Sequence, residues 1–431
     1  MNNRFGTIKV DITPTCNVEL EGYSRKSISI GVRDKLYAVI WIFKQDTELS
    51  CLVSIDNIGM TVAQTNEIRH AISEELEMDK NKVVVFYTHT HSAPKAINRE
   101  GEWLEYFYFL KNRIISMLRY SEVEFSDYKQ GFLSEIVSIG MNRRLKSELG
   151  KAIMGNNYEG YVDNRLLIVK IIDPKSEKTL GILIRITAHG NVLMKDNLMV
   201  SADYIGEIRK LLENKYNCSV FIVNGAAGNI NALHRGDNQD IETMGKILLK
   251  AASRGIENIT VYKNKPVVIR SNFQKLYTKK IPNESEMIKI SNTVKDYWGV
   301  DTDDWIKQVK NKRAENIKRQ EINVEISVVN LGDIFLIGIP MEPFSDTAYK
   351  ISNLNLNELL FLNGYTNGYL GYMSSEEEYD YGGYEVEWNP IVYGTIYGYI
   401  MPLERSAESL IIRCIKKILI AEGVVDGRLT P

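Results

Sequence analysis

The sequence predicts an α/β fold, a single large domain in which a mixed β-sheet is flanked by helices. Two observations support this prediction. Over the first 250 residues, runs rich in β-branched and aromatic residues alternate with segments whose apolar residues recur at helical spacing. Such alternation is typical of sheets with parallel strands. The chain has 431 residues, a length that fits one large α/β domain or two to three ordinary domains.

The bulk composition argues against several kinds of partner. Lys and Arg number 53 against 55 Asp and Glu, for a formal net charge of -2, so neither nucleic acid nor an anionic membrane surface is expected as the main partner. Four scattered cysteines fit a reducing compartment. The first residues lack an apolar signal segment, and no apolar run approaches the roughly 18 residues of a transmembrane helix. We therefore expect a cytoplasmic protein without a transmembrane segment.

The first elements predict a strand–helix–strand unit. Strands are expected at residues 7–12, 36–43 and 50–55, and a helix at 64–76, ahead of the apolar run 83–87. A strand, a helix and a second strand in this order indicate a parallel pair. Ligands of open α/β sheets bind beyond the carboxyl ends of such strands, so we expect the functional site at strand ends.

Two histidines follow the run 83–87. Residues i and i+2 of an extended chain point to one face, so His89 and His91 are predicted to converge, and the chain has only five histidines. Imidazole is the commonest metal ligand and a proton shuttle near neutral pH. A pair of solvated or hydrogen-bonded loop histidines is the alternative, because His-x-His is a loose pattern.

Further candidate groups follow predicted strands. A strand at 136–144 ends in two arginines, which can clamp an anion or a carbonyl oxygen or lie solvated on the surface. A hairpin of residues 165–172 and 180–187 precedes His189, beside a glycine that permits close approach; a structural histidine is the alternative. A buried strand at 219–223 leads into a Gly- and Asn-rich loop that lacks the Lys and Ser/Thr of a P-loop.

The composition of the chain changes after residue 256, where charged residues become more common. Charged helices are predicted at about 275–320, as a linker or as an insertion over the site. Strands at 322–329 and 333–339 lead to Glu342 between two prolines, a rigid position that suits a metal-binding carboxylate or a helix N-terminus. Residues 365–399 hold nine of the 24 tyrosines, a composition that can line a pocket with aromatic rings. A C-terminal helix is predicted at 403–422.

Several motifs together resemble the catalytic domain of the neutral/alkaline non-lysosomal ceramidases. The sequence Thr88-His-Thr-His-Ser-Ala-Pro94 resembles the family's Thr-His-Thr-His-Ser-Gly-Pro. The other similar motifs, in family order, are Asn142-Arg143, Ala188-His189, Ser201-Ala-Asp203, Pro340-Met-Glu-Pro-Phe344, Gly371-Tyr-Met-Ser-Ser-Glu-Glu-Glu-Tyr379 and Gly383-Tyr-Glu385. Each motif is short, but their common order over nearly the whole chain makes the resemblance specific. It implies one ceramidase-like catalytic domain over residues 1–431, with a charged helical insertion at about 275–320.

The resemblance also implies a zinc site and an amide-hydrolysing reaction. The zinc ligands that it implies are His89, His189, Glu342 and Tyr372, and the groups around the substrate carbonyl and the metal-bound water are His91, Arg143 and Tyr384. Zinc lowers the pKa of bound water to about 7. The resulting metal-bound hydroxide would attack the amide, with oxyanion stabilisation by the metal, Tyr384 and Arg143 and proton transfer by His91.

Three departures from the family pattern affect the expected substrate and mechanism. Asn231 stands where the family has a serine, which favours metal-bound hydroxide over a serine nucleophile. The immunoglobulin-like C-terminal domain of the secreted ceramidases has no counterpart, and no export signal is seen. A soluble amide or N-acyl compound is therefore as good a candidate substrate as a lipid-like ceramide. Zinc-dependent ester or phosphoester hydrolysis, or a non-catalytic binding protein on this fold, remain the alternatives.

Overall fold

The strands of the protein form several mixed or antiparallel sheets. The structure is a computed structural model, and it describes residues 3–98, 101–355 and 359–425. In chain order the strands are β1 (Asn3–Asp11), β2 (Gly31–Val32), β3 (Tyr37–Gln45), β4 (Glu48–Ile55), β5 (Val83–Tyr87), β6 (Ser126–Asp127), β7 (Lys129–Ile136), β8 (Gly140–Lys146), β9 (Ala152–Asn157), β10 (Arg165–Ile172), β11 (Thr179–Ile186), β12 (Met199–Val200), β13 (Ser219–Asn224), β14 (Ile230–Ala232), β15 (Val268–Tyr277), β16 (Glu321–Asn330), β17 (Ile334–Gly338), β18 (Glu342–Pro343), β19 (Leu359–Asn363) and β20 (Tyr372–Met373).

Helices connect these strands and cover the sheets. In chain order they are α1 (Val62–Glu75), α2 (Glu105–Tyr120), α3 (Asp203–Tyr216), α4 (Asn238–Asn258), α5 (Glu284–Trp298), α6 (Asp303–Ala314), α7 (Ser345–Ser352), α8 (Asn389–Tyr397) and α9 (Ala407–Ala421). Single 3₁₀ turns span Lys80–Lys82 and Glu376–Asp380, and a π-helical turn spans Tyr384–Trp388. Within the described residues, none of these helices combines the length and the apolar character that a transmembrane span needs.

Each of the three larger sheets contains one parallel pair. The strand orders are β5-β4-β3-β1-β6, β13-β11-β10-β7 and β15-β16-β17-β19. The parallel pairs are β4 with β5, β11 with β13 and β17 with β19, and the helices α1, α3 and α7 lie within the respective connections. The predicted parallel unit, the hairpin of β10 and β11 and the mixed α/β class are confirmed, although the strands form several sheets instead of one.

The three larger sheets share one apolar core. Phe5 and Trp41 of the first sheet, Phe221 of the second and Phe361 of the third belong to the same buried cluster. Since side chains alternate between the two faces of a strand, each sheet has a second face, and the helices pack against it. Ile68 of α1, for example, packs with the other faces of the first two sheets, while α7 and α9 cover the third. This arrangement brings the carboxyl ends of the three parallel pairs together.

The predicted strand at 136–144 is wrong in its bounds. Strand β7 ends at Ile136 and pairs with β10, whereas β8 begins at Gly140 and belongs to a different sheet with β9 and β14. A Cβ on Gly140 would lie 2.4 Å from Ile230 Cγ2, so this close approach requires glycine. Arg143 and Arg144 lie inside β8 and are buried, which contradicts the alternative of a solvated surface pair.

The charged segment at about 275–320 contains α5 and α6, between strands β15 and β16, which pair along their length. Asn283 caps α5 with its side chain, and Glu286 completes a capping box. Trp305 of α6 is buried and donates a 2.8 Å hydrogen bond from Nε1 to Ile400 O. The two helices are thereby joined to the segment that follows α8.

Candidate metal centre and active site

The candidate site lies where the three parallel pairs end. His89 follows β5, His189 follows β11, and Glu342 follows β17 after a short turn. Thr90 and Gly190 form an isolated parallel bridge, which ties the first two loops together. A Cβ on Gly190 would lie 2.7 Å from His89 O, so only glycine lets these loops approach so closely.

His89 is fixed by its backbone conformation, by a hydrogen bond at Nδ1 and by stacking of its ring. Its φ of 64° lies in the left-handed region, which His adopts more often than most residues but which is still uncommon. Its Nδ1 lies 2.6 Å from Ile58 O, and its ring stacks on Tyr365 with centroids 3.9 Å apart. A carbonyl oxygen can only accept, so Nδ1 carries the proton, and Nε2 of the neutral ring is an acceptor.

The ring of His189 is hydrogen-bonded in the same way as the ring of His89, and the side chain is fully buried. Its Nδ1 lies 3.0 Å from Ile230 O, which leaves Nε2 as the acceptor of the neutral ring. Burial, together with the nearby positive charge of Arg143, lowers the pKa of His189 to about 4. The imidazole is therefore neutral near pH 7, in the form that binds a metal ion.

Glu342 brings a carboxylate between these two rings. Its Oε2 lies 3.3 Å from His89 Nε2 and 3.1 Å from His189 Nε2. Tyr365 donates to Oε2 at 3.1 Å and Tyr369 donates to Oε1. Burial opposes ionisation, but the contacts with His89 and His189 outweigh it, and the pKa of Glu342 lies well below the usual carboxyl range. A carboxylate fixed by two phenols is thus directed at two imidazole acceptors.

His91 completes the cluster. Its Nε2 lies 3.3 Å from His89 Nε2, so the predicted convergence of the two histidines occurs, although the left-handed turn at His89 produces it instead of an extended strand. The pKa of His91 lies well below 6.5, because of burial and of the two neighbouring histidines. Among the described residues, its buried Nδ1 has no hydrogen-bond partner.

Arg143 links the histidine cluster to the tyrosines. Its guanidinium donates hydrogen bonds to Tyr372 OH at 2.9 Å and to Glu385 Oε1 at 2.8 Å. Its Nη1 lies 3.0 Å from His189 Nε2. Burial opposes the charge of Glu385, but Arg143 and Arg144 on either side outweigh it and lower its pKa. Arg143 is therefore held by the Glu385 carboxylate and contacts both His189 and Tyr372.

Tyr372 and Tyr384 stand next to each other on the wall of a cavity of about 430 Å³. Their ring centroids are 5.7 Å apart, and Asn389 Nδ2 donates to Tyr384 OH at 2.9 Å. Burial raises the pKa of both phenols well above 10, so both are protonated donors near neutral pH. His91 and Arg143 line the same cavity.

The donor set fits a single metal ion. One ring nitrogen from each of His89, His91 and His189 lies within 4.8 Å of the other two, and Glu342 Oε2 adds an anionic oxygen. Unprotonated imidazoles with a carboxylate are the ligands that zinc takes in catalytic sites. Arg143 Nη1 donates to the same Nε2 of His189 that would face an ion, so metal binding at this position displaces that hydrogen bond.

The structure brings together all the residues that the sequence indicated. His89, His189 and Glu342 are in mutual contact, His91 touches His89, and Tyr372 is joined to them through Arg143, with Tyr384 beside it. Sequence reasoning did not assign Tyr365 and Tyr369 to Glu342. The concentration of tyrosines at 365–399 was the only signal for them, and it did not indicate which rings face the carboxylate.

Comparisons with known proteins support the fold. No protein-family model matches the sequence, and no curated protein matches it. The crystal structure of neutral ceramidase from Pseudomonas aeruginosa superimposes with a TM-score of 0.74 at 17% identity, covering 99% of this chain and 75% of that one. A ceramidase complexed with C2 gives a TM-score of 0.73 at 16% identity, covering 99% and 76%. The protein therefore has a neutral ceramidase-like fold, as the resemblance of its motifs implied.

Proposed function

We propose that the protein is a zinc-dependent hydrolase that cleaves an amide bond in an N-acyl compound. The observation that carries this proposal is the convergence of two imidazole Nε2 atoms on one carboxylate oxygen, at 3.3 Å and 3.1 Å, next to His91 and Arg143, which line the cavity. The structures that share this fold are those of ceramidases, which supports an amide substrate.

The proposed zinc ligands are His89, His189, Glu342 and Tyr372. When bound, zinc lowers the pKa of water that it holds to about 7 and so supplies a nucleophile near neutral pH. The two Nδ1–H groups that donate to backbone carbonyls fix the tautomer of each imidazole, a common arrangement around metal-binding histidines. Tyr365 and Tyr369 hold the Glu342 carboxylate in place by their hydroxyl groups.

The remaining residues act on the substrate. In amide hydrolysis the C–N bond breaks, the oxygen of water enters the new carboxylate, and the amine departs with a proton. Tyr384 and Arg143 donate hydrogen bonds to the carbonyl oxygen as it gains negative charge, a contribution that is typically the largest in such reactions. His91, neutral near pH 7 and next to His89, carries the proton from water to the departing amine.

Metal analysis combined with one matched pair of variants tests the zinc site. The purified protein is expected to hold about one zinc per chain, and His189→Ala is expected to lose both zinc and amide hydrolysis. His70→Ala is the control, because His70 is exposed on α1 and, among the residues that the structure describes, its side chain pairs with Glu74 alone. Full zinc stoichiometry in His189→Ala would contradict the ligand assignment.

His91→Ala separates the two roles open to this residue. As a proton carrier, His91 is dispensable for binding, so the variant is expected to keep its zinc; loss of zinc would make His91 a ligand. A panel of amide, ester and phosphoester probes tests the reaction class. Hydrolysis of the phosphoester without the amide would contradict the proposed amidase.

A further inference from the structure

Arg235 lies on the wall of the active-site cavity, three residues after β14. Its Nε donates to Asn191 O at 3.3 Å and its Nη2 donates to Tyr23 OH at 3.4 Å. Both hydrogen bonds are long and therefore weak. Tyr23 in turn stands beside His91, with ring centroids 5.2 Å apart. Arg235 is thus close to the histidine cluster and only loosely held.

No carboxylate of the described residues lies within ion-pair distance of Arg235, and none lines the cavity. The other arginine of the cavity, Arg143, differs in this respect, because Glu385 Oε1 lies 2.8 Å from its Nε. Arg235 is partly buried. A guanidinium that is partly removed from water and lacks a counter-ion attracts an anionic group of a ligand more strongly than a solvated arginine does.

Other residues of the cavity wall are apolar. Val300 from the loop between α5 and α6, Val392 of α8 and Met154 of β9 contribute apolar surface there. The cavity therefore offers an arginine without a carboxylate partner among the described residues together with apolar surface, and His91 and Tyr384 also line it. A ligand that matches both has an apolar portion and a single acidic group near its amide.

We propose that Arg235 and Tyr23 form a carboxylate-binding subsite, and that the amide hydrolysed here carries a free carboxylate. This inference rests on the proposed amidase function and specifies its substrate class. The carboxylate would accept from Nη1 and Nη2 of the guanidinium, the paired geometry that arginine favours. Two positions fit this description, the amine side, as in an N-acyl amino acid, and the acyl side, as in the monoamide of a dicarboxylic acid, and the probes below distinguish them.

Two matched pairs of probes test the subsite by turnover. N-hexanoylglycine and N-hexanoylglycinamide place the acid or its neutral analogue on the amine side, and N-hexylsuccinamic acid and N-hexylsuccinamide place them on the acyl side. The wild type is expected to prefer the acid in one pair. Arg235→Gln is expected to lower kcat/KM for that acid by about 10- to 100-fold, the loss expected for a hydrogen bond to a charged group, and to leave its neutral partner unchanged.

Two further variants serve as comparison. Arg235→Lys keeps the charge without the paired donors, so an intermediate loss is expected. Arg254→Gln removes one positive charge outside the cavity, where Arg254 pairs with Glu135, and is expected to change none of the four rates. An equal loss on acid and neutral probes in Arg235→Gln would overturn the subsite.

A binding measurement separates failure of the subsite from failure of the amidase function. Calorimetric titration of the same four probes into metal-free protein needs no turnover. Tighter binding of an acid than of its neutral partner, abolished by Arg235→Gln, supports the subsite even if no probe is hydrolysed, in which case only the amidase function fails. Equal affinity for acid and neutral probes in both pairs would refute the subsite whatever the rates.

Discussion

The buried ion pair between Asp56 and Arg209 gives the sharpest test of how the site is supported. Arg209 Nη1 and Nη2 lie 2.5 Å and 2.7 Å from the two oxygens of Asp56, and both side chains are almost fully buried. Asp56 also accepts from Tyr37 N at 2.8 Å and from Thr88 Oγ1 at 3.2 Å. Thr88 directly precedes His89, so the pair lies next to the loop that carries two of the clustered histidines.

Replacing Arg209 by Met leaves a buried carboxylate without its counter-ion. Breaking a buried pair in this way costs about 3–5 kcal/mol of the free energy of unfolding. With an unfolding entropy of about 2.1 cal/mol/K per residue, a chain of this length has roughly 0.9 kcal/mol/K, so Arg209→Met is expected to lower Tm by about 3–6 °C. Differential scanning calorimetry measures this shift.

Arg254→Met is the matched control, because Arg254 and Glu135 are also 2.5 Å apart but the arginine side chain is 56% exposed. An exposed pair contributes at most about 1 kcal/mol, so a Tm change of about 1 °C or less is expected. Adding Asp56→Asn to Arg209→Met removes the unpaired charge and should recover part of the loss. Equal Tm shifts for the two single variants, or no recovery in the double variant, would refute the reasoning.

Three further predictions concern the chemistry and the pH dependence. Tyr384→Phe should lower amide turnover by about 10²–10³ with zinc content unchanged; unaltered turnover in a steady-state assay would remove its role as oxyanion donor. His91→Ala should slow amides more than activated esters, whose leaving groups need no proton, and equal losses on the two would leave His91 only a positioning role. Burial opposes the charge of Asp163, but Arg185 and Arg165 outweigh it and lower its pKa to about 2. Since that value lies below the 3.8 of an ordinary Asp, this carboxylate stabilises the fold by about 2 kcal/mol above pH 4 and loses that contribution as the pH falls toward 2. Asp163→Asn should flatten the dependence of the free energy of unfolding on pH between about 4 and 2, measured by urea titration at each pH. An unchanged slope would contradict the lowered pKa of Asp163.

Local patterns sufficed to predict the elements that carry the site. The run 83–87 is short, β-branched and followed by His89 and His91, and the structure has β5 at those residues. The alternation of strands and helices likewise predicted the parallel pair of β4 and β5. Both features depend on residues close together in the chain, where periodicity and turn chemistry are decisive.

Features that depend on distant residues were not predictable in the same way. Strands β7 and β8 pair in different sheets, and Gly140 at the start of β8 packs closely against Ile230 of β14, but no local pattern in residues 136–144 indicates that change of sheet. The hydroxyls of Tyr365 and Tyr369 meet Glu342 across a turn. Arg235 could not be distinguished from a solvated arginine, because its lack of a carboxylate partner appears only when the chain is folded.

The position of α5 and α6 bears on how proteins of this fold can diversify. The two helices leave the third sheet at Tyr277 and rejoin it at Glu321, and these two residues pair directly across β15 and β16. Lengthening or shortening the segment between these two residues therefore leaves the register of β15 and β16 intact. Val300, between the two helices, lines the cavity, while the histidines are supplied by other loops. A change in this one segment can thus alter the shape of the cavity and leave the histidine cluster unchanged.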